Sequence, residues 1–408
     1  MRILYVVQRY GPGVAGGAEA LTAMLATRLA GRGHDVSVLT SCARDYDTWI
    51  DEFPPGRSTL DGVTVHRLPV TRPRDPARFS ALSQRVVPSA GRAVTSALES
   101  AWMSEQGPVL DGFDDAFAAL IADCDVAAAM TYLYATTTAA CRDAMGSVPI
   151  VLHPTAHEEW PFRLPLIRAA VDSASGIACS TPEELELVDQ QFRPAVPTEV
   201  IGIGFDPPPH APDVDAFRGR FGLGDAPYVL CLGRIDPNKG TDEAIRFMAE
   251  SRRLGSVATL VLCGAQMMDV EESDGLCLTG FVDDATRWAA IAGASVVLQP
   301  SRQESFGMTL AESWLMDRPV LVQRDCKVTA GLVRRSGGGV VYSTFSEFDA
   351  GLRVLLADDR LRGSLAAQGR RFVEDDYEWS AVLDRYEDLI GRSILAYRGR
   401  LARPDHHG

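Results

Sequence analysis

An α/β protein built from two doubly wound domains is predicted by three observations. Short β-branched runs alternate with longer helical patterns along most of the chain, as parallel sheets covered by helices on both faces require. At 408 residues the chain exceeds what one hydrophobic core usually organises, so two domains of about 200 residues each are expected. The alternation breaks once, at Asp206-Pro207-Pro208-Pro209 with Pro212 close behind, where a stiff linker fits, and then restarts.

In the first half, strands are expected at Ile3–Val7, Val36–Thr40, Val63–Leu68, Val126–Thr131, Pro149–His153, Gly176–Ser180 and Val200–Gly204. A helix is expected over Ala18–Ala30, with others at about 162–173 and 182–192. In the second half, strands fall at Tyr228–Leu232, Thr259–Cys263, Leu276–Thr279, Ser295–Gln299 and Pro319–Val322, again interleaved with helices. The predicted organisation is a Rossmann-like domain over residues 1–205 and another over 206–375, facing each other across a cleft. Ligands of such sheets bind beyond the carboxyl ends of the strands.

Composition narrows the function. Apolar residues make up 46% and charged residues 23%, ordinary for a soluble globular protein. The formal charge of −14 argues against a nucleic-acid surface and requires any acidic ligand to find a local basic pocket. The opening apolar run is too short for a signal peptide, and no stretch approaches the length of a spanning helix. The eight cysteines are scattered without a CxxC pair, and Cys179, Cys231 and Cys263 lie in strand-like runs, so core packing in a reducing cytoplasm is expected. The segment from Arg72 to Trp102 differs, since Arg72, Arg74, Arg78, Arg85 and Arg92 outnumber Asp75 and Glu99 among apolar residues. It reads either as a solvated helix pair or as a peripheral contact with an anionic membrane face.

Three stretches could carry chemistry. Gly11-Pro12-Gly13-Val14-Ala15-Gly16 is a GxGxxG between a strand and a helix, which suggests a dinucleotide site. The next strand, however, ends Leu39-Thr40-Ser41-Cys42, without the acid that would hold a ribose. What remains is that Gly16-Gly17 lets backbone amides at the helix start approach an anion or a sugar. Second, Leu232-Gly233-Arg234-Ile235-Asp236-Pro237-Asn238-Lys239-Gly240 places an Arg and a Lys at a strand end, where both can converge on a diphosphate. Third, Gln303-Glu304-Ser305-Phe306-Gly307-Met308-Thr309-Leu310-Ala311-Glu312 holds two glutamates eight residues apart. Within one helix they would diverge by roughly 80° and about 12 Å. With a helix starting near Ser305 or Phe306, Glu304 stands before it and Glu312 within it, and the free amides between them suit a phosphate. Carboxylates suit vicinal diols, so sugar, phosphate and ribose together read as a nucleotide sugar.

Gly233-Arg234 with Lys239-Gly240, and Glu304 with Glu312 around Ser305-Phe306-Gly307, resemble the donor-site motifs of family-4 retaining glycosyltransferases of the GT-B fold. The resemblance extends over almost the whole chain, through Gly16-Gly17-Ala18-Glu19 and Arg32-Gly33-His34-Asp35-Val36 to Tyr377-Glu378-Trp379-Ser380. It implies that 376–408 is a terminal helix crossing back onto the first domain. It also implies that Arg234 and Lys239 hold the diphosphate and stabilise the departing charge, that Glu312 holds the ribose, and that Glu304 contacts the transferred sugar. The amides of Phe306, Gly307, Met308 and Thr309 would complete the phosphate cradle, Gly16 and Gly17 would approach the donor, and backbone near Phe281 and Val282 would meet the base. A histidine at a strand end of the first domain is the family's other recurrent site residue: His153 matches it, with His157 as competitor, while His34 belongs to a structural turn.

The resulting expectation is a retaining, metal-independent hexosyltransferase without cofactor, using UDP in preference to GDP and located in the cytoplasm or at the inner membrane face. Its acceptor hydroxyl would be carried by a glycan, a lipid-linked intermediate or a natural product and bound near Tyr132, His157 and Trp160. Asp283-Asp284 is read as a helix cap rather than a metal motif. One departure from the family is Met316-Asp317-Arg318-Pro319-Val320, which lacks the usual glycine before Pro-Val. Two other classes stay open: a sugar-nucleotide-binding protein without transfer activity, and an NAD-type oxidoreductase using Gly11 to Gly16.

Overall fold

The computed structural model describes residues 1–14, 16–87 and 94–402. The chain divides into two compact units, Met1–Gly202 with the residues from Leu383 on, and Ile203–Val382. The division precedes the proline run because residues 204 and 205 are held by the far end of the second unit. The Phe205 amide donates to the Tyr377 carbonyl at 3.0 Å, and Gly204 lies flush on the Trp379 ring, with no room for a Cβ.

The first unit carries β1 (Arg2–Val6), β2 (Asp35–Ser41), β3 (Gly56–Leu60), β4 (Val63–Leu68), β5 (Val126–Met130), β6 (Ile150–His153), β7 (Gly176–Cys179) and β8 (Thr198–Val200). Their order in the sheet is β3-β4-β2-β1-β5-β6-β7-β8, and only the β3–β4 pair is antiparallel. Its helices are α1 (Gly17–Gly31), α2 (Pro76–Val86), α3 (Ser96–Gln106), α4 (Phe113–Ile121), α5 (Ala135–Ala144), α6 (Pro165–Ser173) and α7 (Pro182–Phe192). Central strands such as β5, Val-Ala-Ala-Ala-Met, are buried at every residue, as helices on both faces demand.

The second unit repeats the plan with β9 (Tyr228–Leu232), β10 (Thr259–Cys263), β11 (Leu276–Gly280), β12 (Val296–Gln299), β13 (Val320–Gln323) and β14 (Gly339–Tyr342), all parallel in the order β11-β10-β9-β12-β13-β14. Its helices are α8 (Val214–Arg220), α9 (Thr241–Arg253), α10 (Asp284–Gly293), α11 (Met308–Leu315), α12 (Lys327–Ser336), α13 (Phe345–Ala357) and α14 (Asp359–Asp376). Sheet order reverses between β9 and β12, so the loops after these two strands flank the crevice where doubly wound sheets take their ligands.

The final helix, α15 (Trp379–Leu401), belongs to the first unit from Leu383 on. Arg32 there bonds Asp384 at 2.6 Å and Glu387 at 2.9 Å, and His34 Nε2 meets Glu387 at 2.8 Å, which accounts for His34 structurally.

Three sequence expectations shift locally. The strand expected at Val200–Gly204 is instead Thr198–Val200, because Gly202 takes φ +77 and turns the chain out of the ladder. The helix expected at 162–173 is a 3₁₀ turn, Trp160–Arg163, followed by α6. In the basic segment, Arg72 and Arg78 both pair with the buried Glu105, and Arg74 donates to the carbonyls of Glu105 and Gln106. Three of its arginines are thus engaged within the unit; Arg92 and Ala15 of the glycine loop lie outside the described residues. Among the described residues no helix is long and apolar enough to cross a membrane.

Candidate active site

In the second unit the site grows from two glycines. After β9 the chain forms a 3₁₀ turn, Pro237–Lys239, capped by the Asp236 side chain, which accepts from the Asn238 amide at 2.8 Å. Gly240 then adopts φ +74 and lies so close to the loop after β12 that a Cβ would fall 2.4 Å from the Pro300 carbonyl oxygen. This approach brings Lys239 Nζ to 2.8 Å from Glu304 Oε1, which also accepts from Gln299 Nε2 at 3.3 Å. Arg234, 40% exposed, reaches Asp236 Oδ2 at 3.8 Å. The two basic residues and Glu304 singled out in the sequence therefore share one strand-end crevice. Lysine has three donor hydrogens, so the bond to Glu304 leaves capacity for an anionic oxygen.

Gly307, at φ +83, is the N-cap of α11 and provides no side-chain cap. The helix starts at Met308, later than the expected Ser305 or Phe306, because a residue in the left-handed region cannot continue a right-handed helix. Leu310 N–H turns back to the Gly307 carbonyl at 3.0 Å, and the amides of Gly307, Met308 and Thr309 precede the first intrahelical bond. The Phe306 ring is buried against Tyr377 and Phe205.

Glu304 thus stands outside α11 and Glu312 inside it. Glu312 is nearly buried, with Oε1 at 2.6 Å from Arg287 Nη1, a partner the sequence did not reveal. Burial raises its carboxyl above the ordinary range, and the Arg287 charge opposes that rise. Val282 follows β11, half-buried beside Phe281, which is 78% exposed. Asp283 caps α10 by accepting from the Thr286 amide at 2.8 Å, the role expected of it. Asp317, in place of the family's usual glycine, takes that residue's left-handed conformation, φ +55, and both its oxygens are held at 2.7 Å by Arg370.

In the first unit Gly16 is the N-cap of α1, again without a side-chain cap, and Gly17 opens the helix. The Gly16 backbone presses on the buried Glu19 carboxylate, leaving no room for a Cβ. Glu19 is itself bonded by Gln8 Nε2 at 2.9 Å and by Arg9 Nη2. Part of the reason for the glycine is therefore internal packing. Gly11 is likewise pressed on Arg67 and Phe53, a packing role that a dinucleotide fingerprint does not need.

The histidines must be reassigned. His153 is 1% exposed, with Nε2 at 2.7 Å from Tyr386 Oη and its ring packed edge-on to that tyrosine. Burial drives its pKa down to about 3, so it is a neutral, enclosed residue. The catalytic role expected of His153 does not fit this placement. His157, on the loop after β6, keeps 30% of its side chain exposed while its Nδ1 is shielded. Tyr132, expected at the acceptor, is buried at 1% exposure; its hydroxyl donates to Glu159 and its ring packs on Phe162, so it supports the loop from beneath. Trp160 is half-buried against Trp102. Sequence reasoning missed Glu159 and Glu184. The latter is fully enclosed, accepts from the amides of Ala156 and Ser180 at 2.6 Å each, and has its pKa raised to about 7 by burial.

Comparison with known proteins agrees with this architecture. Residues 16–204 match the glycosyl transferase 4-like domain family and residues 213–372 match glycosyl transferases group 1. The chain is 27% identical over 269 residues to the GDP-mannose-dependent alpha-(1-6)-phosphatidylinositol monomannoside mannosyltransferase of Mycolicibacterium smegmatis, covering 60% of this chain and 70% of that one. It is also 27% identical, over 96% of its length and 90% of the relative's, to the D-inositol 3-phosphate glycosyltransferase of Acidothermus cellulolyticus. Among solved structures, sucrose-phosphate synthase from Thermosynechococcus elongatus superposes with a TM-score of 0.70 at 18% identity, covering 98% and 99% of the two chains. Anabaena HepE in complex with UDP and glucose gives 0.69 at 17% identity, covering 96% and 99%. With both family profiles matched in chain order, and each on its own doubly wound unit, the chain belongs to the family-4 glycosyltransferases of the GT-B fold.

Proposed function

We propose that this glycosyltransferase moves a hexose from a nucleoside diphosphate sugar, UDP in preference to GDP, to an acceptor hydroxyl with retention of configuration and without a metal ion. The observation that carries the reading is the convergence of Lys239, Glu304 and the uncapped start of α11 on one crevice, brought about by Gly240 and Gly307.

In this reading the diphosphate lies on the Lys239 ammonium, the Arg234 guanidinium and the amides of Gly307, Met308 and Thr309. These groups face the charge that grows as the bond between the anomeric carbon and the phosphate oxygen breaks, where fixed donors lower the barrier most. Their positive charge does the work a divalent cation would otherwise do. Glu304 accepts from hydroxyls of the sugar. Glu312, steadied by Arg287, accepts from the ribose. The acceptor hydroxyl attacks the anomeric carbon on the face the diphosphate leaves, and its proton passes to a phosphate oxygen of the leaving group.

On the first unit, we place the acceptor at the strand-end loop that carries His157. An open groove of about 800 Å³ starts at Thr136 and Leu166, in the first turns of α5 and α6, and reaches Met145 at the far end of α5. Met103, Leu110 and Phe113 make its wall apolar, which favours an acceptor with an apolar portion, a lipid-linked or natural-product alcohol rather than a free sugar.

The test is nucleotide release from UDP-glucose, UDP-galactose, UDP-N-acetylglucosamine and GDP-mannose, with and without alkyl glycosides and free sugars as acceptors, in EDTA. Release that depends on an alkyl glycoside and persists in EDTA is expected. Binding of nucleotide without release for any donor–acceptor pair would reassign the chain to a noncatalytic sugar-nucleotide binder.

A further inference from the structure

We propose that Glu159 is a positioning residue that fixes the tautomer of His157, so that the imidazole presents an unprotonated Nε2 to a substrate hydroxyl. The inference rests on the reading above, in which His157 faces substrate.

Glu159 Oε1 lies between two groups. The Tyr132 hydroxyl donates to it, and burial together with the adjacent Glu159 charge keeps that phenol protonated, with its pKa well above the ordinary value. His157 Nδ1 stands 3.7 Å from the same oxygen, shielded from solvent and without a hydrogen bond. A small rotation of the ring closes this gap to a hydrogen bond, and site contacts of this kind commonly tighten when substrate binds. With Nδ1–H directed at a carboxylate, Nε2 is the lone-pair nitrogen and becomes an acceptor. The opposite tautomer would set a lone pair against a carboxylate oxygen.

The backbone around this pair is strained in a way that plain loop structure does not require. Thr131 after β5 has φ +66 and Thr155 after β6 has φ +49, a conformation that β-branched residues rarely adopt. The two hydroxyls bond each other at 3.0 Å, and the next amide, Ala156 N–H, is held by Glu184, which also anchors Ser180 after β7. Three neighbouring strand ends are therefore tied together where the loop carrying His157 and Glu159 begins. Strain that is over-determined by its surroundings in this way concentrates at sites of function.

The experiment measures the imidazole ¹⁵N resonances of His157 in labelled full-length protein, together with steady-state kinetics, for wild type, Glu159→Gln, His157→Ala and the double variant. The Nδ1-protonated tautomer is expected in wild type. In Glu159→Gln, whose amide can donate to Nδ1, the Nε2-protonated form should appear and kcat should fall by about 10–100-fold, the usual consequence of losing a histidine's orienting partner, with little change in donor KM. In the His157→Ala background the same substitution should cost almost nothing further, because a positioning residue has nothing left to position. An unchanged tautomer, or a loss that recurs in full in that background, overturns the proposal and leaves Glu159 a support for Tyr132. Because the resonances need no turnover, absence of transfer with every donor would count against the functional reading alone.

Discussion

Gly240 is where the crevice proposed for the donor depends on a single missing methyl group. Replacing it by alanine has two separable effects. The first is strain: at φ +74 an L-residue costs roughly 1–2 kcal/mol, which for a unit of this size lowers Tm by about 2–8 °C. The second is a clash. The added Cβ would stand 2.4 Å from the Pro300 carbonyl, whereas ordinary contact begins near 3.4 Å, so the two loops must part by about 1 Å. That displacement moves Lys239 relative to Glu304 and the start of α11, and misplacement on this scale costs on the order of 100-fold in rate. Gly255→Ala is the control, since its φ of +99 carries strain while nothing lies within 4 Å of the added atom. Both variants should melt early in calorimetry. Only Gly240→Ala should also lose affinity for UDP in titration calorimetry and lose transfer rate. Wild-type UDP affinity in Gly240→Ala, alongside the lower Tm, would refute the idea that this close approach builds the phosphate site.

Other outcomes follow from the same geometry. Lys239→Ala should weaken nucleoside diphosphate binding by about 1.5–3 kcal/mol, the range of a charge-assisted hydrogen bond, seen as a roughly 10–100-fold rise in Kd; an unchanged Kd would move the diphosphate elsewhere. Glu312→Ala should destabilise the second unit by about 1–3 kcal/mol because Arg287 keeps only Asp284, at 3.2 Å, as a carboxylate partner, and a double-mutant cycle with Arg287→Ala should return a coupling of about 1–2 kcal/mol by denaturant titration. His153 should make stability acid-sensitive. Its folded pKa of about 3 lies below the ordinary 6.5, so between these values the unfolded chain binds the proton first, and stability falls as pH drops through that window, by on the order of 4 kcal/mol at the acid end. His153→Gln should flatten this part of the pH–stability curve, and parallel curves for the two proteins would contradict the buried, neutral assignment.

How far the fold was legible depended on the kind of signal each segment carried. Tyr228–Leu232, Thr259–Cys263 and the helix at 182–192 were located to the residue, because their apolar runs end against Gly, Pro or a capping Thr. The strand Gly56–Leu60 was missed. Its sequence, Gly-Arg-Ser-Thr-Leu, is exposed nearly throughout, since it is an edge strand with no core face to imprint a hydrophobic pattern. Gly339–Tyr342, at the other sheet's edge, escaped for a different reason: Tyr342 is buried and Val-Val-Tyr is apolar, but four residues are too few to show a strand period. At the site, Lys239 and Glu304 were legible because each sits at a fixed offset from a strand end. Arg287 was not, because its pairing with Glu312 is set by how α10 packs on α11. His153 and His157 could not be separated by sequence either: what encloses His153 is Tyr386, 233 residues further along the chain.

On the proposed reading, the two units place chemistry at their strand ends by opposite devices. In the second, glycines at 240 and 307 remove side chains, so loops close on one another and backbone amides line the crevice. In the first, threonines at 131 and 155 hold strained backbone through their own hydroxyls, and the loop that follows carries His157 and Glu159 over the buried Tyr132. A site lined by amides and a few charges recognises what all nucleoside diphosphate sugars share. A site lined by oriented side chains on a rigid edge discriminates by shape and hydrogen-bond pattern. On the proposed reading, exchanging residues around His157 should therefore change which acceptor is used far more readily than exchanging residues around Gly307 changes which nucleotide is used. The same asymmetry explains why the sequence pointed to a nucleotide sugar and left its acceptor open.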